Sequence, residues 1–206
     1  MGNARIPEIE TDRLVFRQPT DDDVEAWATF IVDPEDFRYM LWAITDETPV
    51  ERAKRLLDGI AEGWQSEPPS SMSWMFTQKS DGQVVGLGGV DQVEMANEGE
   101  IGYRLAKPFR GLGYGKEAAS ALTRFAFENS DWDRIVAYVV RENTASVRLV
   151  ESLGMQHVED VDYLALLGNP ANVRIASTDA ALYALARQDF AAGDAPYVVR
   201  WPESPA

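Results

Sequence analysis

Between residues 110 and 115 the chain reads Arg-Gly-Leu-Gly-Tyr-Gly, with a strand-like run before it and a helix-like run after it. Glycines at 111, 113 and 115 leave backbone N–H groups uncovered by side chains. The helix expected over residues 114–129 adds its own unpaired donors and the positive end of its dipole. Arg110 and Lys116 flank the turn with fixed positive charge. These features predict an anion site shaped for a diphosphate, built from the backbone of Gly111, Leu112, Gly113, Tyr114, Gly115 and Lys116 with Arg110 as a charge clamp.

Two familiar glycine loops fail on spacing. A P-loop puts a glycine where Arg110 stands and a Mg²⁺-binding hydroxyl where Glu117 stands, which argues against a nucleotide triphosphatase. A dinucleotide fingerprint needs its third glycine at Lys116 and opens the first βα unit, not a turn past mid-chain. A second glycine-rich run, Val85 to Val90, continues into strand-like sequence and reads as a strand with close backbone contacts or a bulge.

Further blocks accompany the turn. Arg134 to Val140 is strand-like, Asn143-Thr144-Ala145-Ser146 reads as a turn, and Leu149 to Met155 as the rest of a short helix. Near the start stands Ile9-Glu10-Thr11-Asp12-Arg13-Leu14-Val15-Phe16-Arg17, and near the end Ala181 to Arg187. With Arg-x-x-Gly-x-Gly at 110–115, these four elements in this order resemble the GNAT acetyltransferase superfamily, RimJ/RimL-type branch, over residues 8–190. The resemblance implies acetyl-CoA as co-substrate, no metal, and a primary-amine acceptor, either a protein N-terminus or a small amine. It also implies a possible pairing of two subunits. In this family the strand before the glycine turn splays from its neighbour and its free edge pairs with pantetheine. That assigns the backbone of Tyr103 and Leu105 to the cofactor arm, with the Leu105 N–H as an oxyanion donor. Asn143 matches the residue that bonds the arm, although as a helix cap it would be equally well used. Ser146 matches a position where serine protonates the departing thiolate; an ordinary first-turn hydroxyl is the plain alternative.

The sequence departs from the family in one respect. A tyrosine acid common in the helix is Val150 here, and a strand glutamate used by some peptide α-amine acetyltransferases is Tyr138. Ser146, or water, is left as the acid. As base, Glu100 ranks first because it lies on the strand beside the thioester, followed by Asp162 and then Glu98. Each of these carboxylates can also be a solvated strand residue, and a water relay would suffice. A non-catalytic acyl-CoA sensor on the same fold is the alternative motivated by the missing pair. Substrate selection is expected from the segment 33–48, where Phe37, Tyr39 and Trp42 line a pocket or pack a core, and from the connection 167–178.

Composition narrows the classes. The 206 residues suffice for one domain with a core, and a domain over 1–190 with a tail over 191–206 is expected, the tail loosely attached. There is no cysteine, so thiol catalysis and disulfides are excluded and a reducing, cytoplasmic setting fits. One histidine, His157, makes His-based metal sites poor candidates and reads as an ordinary strand residue. No apolar run approaches a membrane span, and no basic-plus-apolar leader opens the chain. The net charge of −15 disfavours nucleic acid and favours a cationic substrate, or reflects solubility or salt adaptation.

The elements that must position these residues follow from pattern. A strand at 13–17 precedes a helix capped at Thr20, and Pro49 opens a helix to about Trp64. Strands near 73–79, 83–93 and 98–106 come next, then the 114–129 helix, a strand at 134–140 and a helix at 144–153. Strands near 156–167 and 179–188 complete the series. Strands first and βαβ later read as one α/β domain with a mixed sheet. The resemblance makes that sheet mostly antiparallel, of about seven strands with about four flanking helices, splayed at the acyl-CoA site.

Overall fold

The computed structural model describes residues 6–32, 38–39, 42–43, 46–65, 71–93, 96–166, 173–174 and 177–202. Alternation at the start buries Ile9, Leu14 and Phe16 and makes two strands where one was expected, β1 (Glu8–Glu10) and β2 (Leu14–Arg17). Between them Thr11 turns the chain, its N–H donating to the Leu14 carbonyl at 3.0 Å. Helix α1 (Asp23–Phe30) is not capped by Thr20 as expected. The Asp23 carboxylate instead accepts from the Thr20 N–H and hydroxyl and from both terminal nitrogens of Arg17. Burial works against its charge, yet these donors hold its pKa below the ordinary carboxylate value.

Strand β3 (Trp42–Ala43) precedes α2 (Pro49–Gln65), whose start is a reciprocal cap. The Thr48 N–H donates to Glu51 at 2.8 Å, and the Glu51 N–H to the Thr48 hydroxyl at 3.3 Å. Its buried stripe is Ala53, Leu57, Ile60 and Trp64, at helical spacing. Then come β4 (Ser71–Gln78), β5 (Val84–Gln92), β6 (Glu98–Leu105), α3 (Tyr114–Asn129), β7 (Arg134–Val140) and α4 (Thr144–Ser152). Strand β8 (Gln156–Asp162) stops short of the expected 156–167, because the Asp162 carboxylate accepts from the Ala165 N–H at 3.1 Å and starts a helical turn, α5 (Tyr163–Leu166). Strands β9 (Val173–Arg174), β10 (Asp179–Ala186) and β11 (Val198–Arg200) complete the described elements.

The main sheet has nine strands in the order β11-β1-β2-β4-β5-β6-β7-β10-β8, against an expected seven, and five helices are described against four. Two of the additional features are at one edge: the split of the first strand, and β11, which pairs with β1 although its segment was expected to hang loosely. All pairs within it are antiparallel except β6 with β7. The run Val85 to Val90 lies inside β5, as read from its pattern; a Cβ on Gly88 would run into the Gly102 carbonyl and the Phe76 ring of the neighbouring strands. A separate pair, β3 with β9, joins the two segments expected to select substrate, with Trp42 opposite Arg174.

The core is continuous across the sheet. Trp74 of β4 stacks edge-on against Trp64 of α2 at 4.9 Å and Phe125 of α3 at 5.0 Å, and its indole N–H donates to the Pro7 carbonyl. Such contacts add about 0.5–1.5 kcal/mol each beyond area burial. The far end of α3 is fastened by Arg187, whose guanidinium donates to the Phe127, Ser130 and Trp132 carbonyls. The N-terminal end of α3 packs against β6, with Gly115 close to Leu105 and Tyr103.

Candidate active site: a glycine turn beside a split in the sheet

After β6 a 3-10 turn over Lys107–Phe109 carries the chain into the glycine turn. Gly111 and Gly113 have φ of 76° and 86°, and Gly113 is the N-cap of α3. A side chain at 113 would be strained in that left-handed conformation. The first helical bond runs from the Glu117 N–H to the Gly113 carbonyl at 3.2 Å, so the N–H groups of Tyr114, Gly115 and Lys116 lack intrahelical acceptors. Leu112 is 56% exposed, and Arg110, Gly111, Gly113 and Lys116 are exposed too, leaving the turn open to an incoming anion. Arg110 donates from Nε to the Leu105 carbonyl at 3.1 Å, tying the turn to the end of β6.

The opening of the sheet is where the resemblance implied it. β6 and β7 are in register only at Glu98–Arg134, Gly99–Ile135 and Glu100–Val136. Beyond Glu100, β6 continues with β5 and β7 with β10. The Val93 N–H donates to the Glu98 carbonyl and the Ala106 N–H to the Val85 carbonyl. Even-numbered residues of β6 therefore turn their backbone groups toward β5 and odd-numbered ones away from it. The backbone of Tyr103 and Leu105 faces the split. A polar edge of this kind accepts an amide-bearing chain as a further strand would.

The two faces of β6 differ in chemistry. On the α3 side, a Cβ at Gly115 would lie 3.1 Å from Leu149 Cδ1, 3.5 Å from Leu105 and 3.8 Å from the Tyr103 ring, so α3, α4 and β6 converge there. The Tyr103 hydroxyl is buried with no hydrogen bond of good geometry, and burial pushes its pKa up, opposed by its interaction with the Ser146 hydroxyl. Ser146 is half-buried in the first turn of α4, where its N–H donates to the Asn143 Oδ1 at 3.3 Å. Asn143 thus serves as the helix cap, while Val150 is buried at 1% exposure.

On the opposite face Glu100 stands across from Asp91. Burial, with repulsion from Asp91 second, pushes its pKa up to about 7. Asp91 is raised by burial and eased by a hydrogen bond with Ser71. Tyr138 of β7 and Tyr163 of α5 stack at 6.1 Å and 22° beside this carboxylate. Burial and then the Glu100 charge raise both phenols, Tyr163 to about 12. Neither tyrosine was singled out as a site residue, because only the tertiary fold brings the two rings together. Glu98 is held by Arg134 at 2.6 Å, and Asp162, exposed, caps α5. Tyr39 is half-buried beside the Arg38 guanidinium, Trp42 is placed only by its backbone in β3, and Phe37 lies outside the described residues.

A third group was missed altogether. Glu117 accepts from the Thr11 hydroxyl at 2.6 Å and from the Arg13 N–H and Nε at 2.7 Å each. Arg13 also donates to the Leu112 carbonyl at 2.9 Å and lies 4.4 Å over the Tyr114 ring. The Tyr114 hydroxyl accepts from Gln78 at 2.9 Å. The signal was available in Thr11-x-Arg13 and in Glu117, two motifs whose link spans more than a hundred residues.

Among the described residues no helix is long and apolar enough to cross a membrane, and no group of three or more His, Cys, Asp or Glu side chains could hold a metal ion. In the solved structures, an acetyltransferase (GNAT family) from Bacillus anthracis has a similar fold, with TM-score 0.69 and 21% identity over 88% of this chain and 99% of that one. A ribosomal-protein-S5-alanine acetyltransferase from Vibrio fischeri matches at TM-score 0.67 and 17% identity over 89% of this chain and 98% of that one. In sequence, the uncharacterized N-acetyltransferase p20 of Bacillus licheniformis is 31% identical over 147 residues, 71% of this chain and 80% of that protein. The family description "Acetyltransferase (GNAT) domain" matches residues 13–156, from Arg13 through the split and α4, and the chain belongs to that family.

Proposed function

We propose that the protein is an acetyl-CoA-dependent N-acetyltransferase of the RimJ/RimL type, in which a primary amine attacks the thioester directly. The observation that carries this reading is the split between β6 and β7, with the glycine turn at its end and Glu100 on the face away from α3. The residues fit the cofactor. Gly113 leaves uncovered the end of α3 where a diphosphate would sit, and the Tyr103 and Leu105 edge suits the amides of a pantetheine arm. Acetyl-CoA supplies the activated acyl group.

The chain's own groups supply the remainder. Glu100, its pKa pushed up to about 7, titrates near neutral pH and removes a proton from the ammonium acceptor. Its basicity is better matched to an α-amine, pKa about 8, than to a lysine side chain at about 10.4. The Leu105 N–H, turned to the split, is placed to donate to the developing oxyanion. Ser146, backed by the Tyr103 hydroxyl, returns a proton to the leaving sulfur. The chain has no cysteine with which to form an acyl-thiol intermediate. The acidic wall of Asp91 and Glu100 suits a cationic acceptor.

The test is calorimetric titration with acetyl-CoA, followed by thiol release over a panel of amines and N-terminal peptides. Binding with release for one acceptor class supports the enzyme. Binding without release across the panel transfers the reading to an acyl-CoA sensor, and absence of binding overturns it.

A further inference from the structure

We propose that Arg13 is a positioning residue for the diphosphate turn, acting by drawing the Glu117 carboxylate and the Leu112 carbonyl away from the incoming anion. The inference rests on the acyl-CoA reading of that turn. Glu117 occupies the fourth helical position of α3, in the same first turn as the N–H groups that an anion must reach. A carboxylate there repels a diphosphate and competes for the same positive helix end. Glu117 is ionised at neutral pH: burial opposes its charge, but Thr11 and Arg13 hold its pKa below the usual value.

The geometry shows how that charge is contained. Both carboxylate oxygens are engaged from the β1–β2 side, one by the Thr11 hydroxyl and the Arg13 N–H, the other by Arg13 Nε. The same guanidinium uses Nη1 to hold the Leu112 carbonyl and lies over the Tyr114 ring. Its Nη2 would be 3.2 Å from a Cβ at Gly113, so the fork sits directly under the N-cap. A planar fork can join the carboxylate, the carbonyl and the ring face at once; an ammonium cannot.

Arg13→Ala, compared with wild type by calorimetry, is expected to weaken acetyl-CoA binding about two- to fivefold, the value of one charge at a helix end. KM for S-acetylpantetheine, which has no diphosphate, is expected to stay unchanged. Adding Glu117→Gln to Arg13→Ala should restore most of the lost affinity by removing the released charge. If Arg13→Ala fails to fold, Arg13→Gln, which keeps a donor and most of the stem, carries the same comparison. Wild-type acetyl-CoA affinity in the single variant overturns the inference alone. Equal losses for both thioesters, or no recovery with Glu117→Gln, also overturn it, since general damage to the fold predicts both. Failure of the wild-type protein to bind acetyl-CoA overturns the acyl-CoA reading itself, and the inference with it.

Discussion

Replacing Glu100 by Gln should make the protein more stable and less active at the same time, each with its own pH dependence. The carboxyl is held at about 7 against an ordinary 4.5, chiefly by burial and secondarily by Asp91. That shift corresponds to about 3 kcal/mol against the ionised form. A raised carboxylate pKa means the folded chain binds the proton more tightly than the unfolded one. Stability from this group is therefore full below about pH 4.5 and falls as pH rises to about 7. Glu100→Gln carries no such loss, so its advantage is small at pH 4.5 and reaches at most about 3 kcal/mol at pH 8. For a domain of this size each kcal/mol moves Tm by about 2–4 °C, so thermal melts at pH 4.5 and pH 8 resolve the difference. In catalysis, kcat/KM of the wild type should rise through pH 7 as the base ionises. The variant should lose about 10²–10⁴-fold in rate together with that limb. Melts whose difference does not grow with pH would refute the buried, raised carboxyl. A variant that keeps both the rate and the limb would refute its role as base.

Gly113→Asp places a side chain at φ 86° against Arg13 and a negative charge at the diphosphate; Asp is strained there less than most residues, so the protein should fold and bind acetyl-CoA more than about tenfold more weakly, with unchanged affinity excluding the site. Ser146→Ala should lower kcat more than acetyl-CoA affinity, and Tyr103→Phe should do likewise. Since the Tyr103 hydroxyl is proposed to act through Ser146, combining the substitutions should cost little more than either alone; simple addition in a kinetic cycle would separate them. Asn143→Ala removes the cap bond to the Ser146 N–H and should cost about 1 kcal/mol in chemical denaturation, whereas weaker acetyl-CoA binding at unchanged stability would assign Asn143 to the cofactor arm.

Local signals were legible wherever period and capping agreed. Pro49 at a first helical turn, the glycine turn before residue 114 and the strand-like run Arg134 to Val140 each follow from rules spanning a few residues, and α2, α3 and β7 start and end within a residue of the bounds those rules give. Where two local rules competed, the pattern misled. Thr20 looked like a helix cap, but Asp23, drawn to Arg17, reversed the roles. Asp162 looked like a strand carboxylate and proved to start a helical turn, because a short acid accepts from a backbone N–H three residues on.

The sequence by itself determined the glycine turn, the absence of thiol chemistry and the strand that carries Glu100, since each depends on residue type and neighbours in the chain. Tertiary structure alone decided that β6 and β7 part after Glu100, that burial raises that carboxyl, and that Tyr138 and Tyr163 stand beside it. It alone joined Thr11 and Arg13 to Glu117. The physical reason is range. Backbone conformation is set by a few adjacent side chains, whereas desolvation and charge pairing depend on whatever the completed sheet brings within a few ångströms.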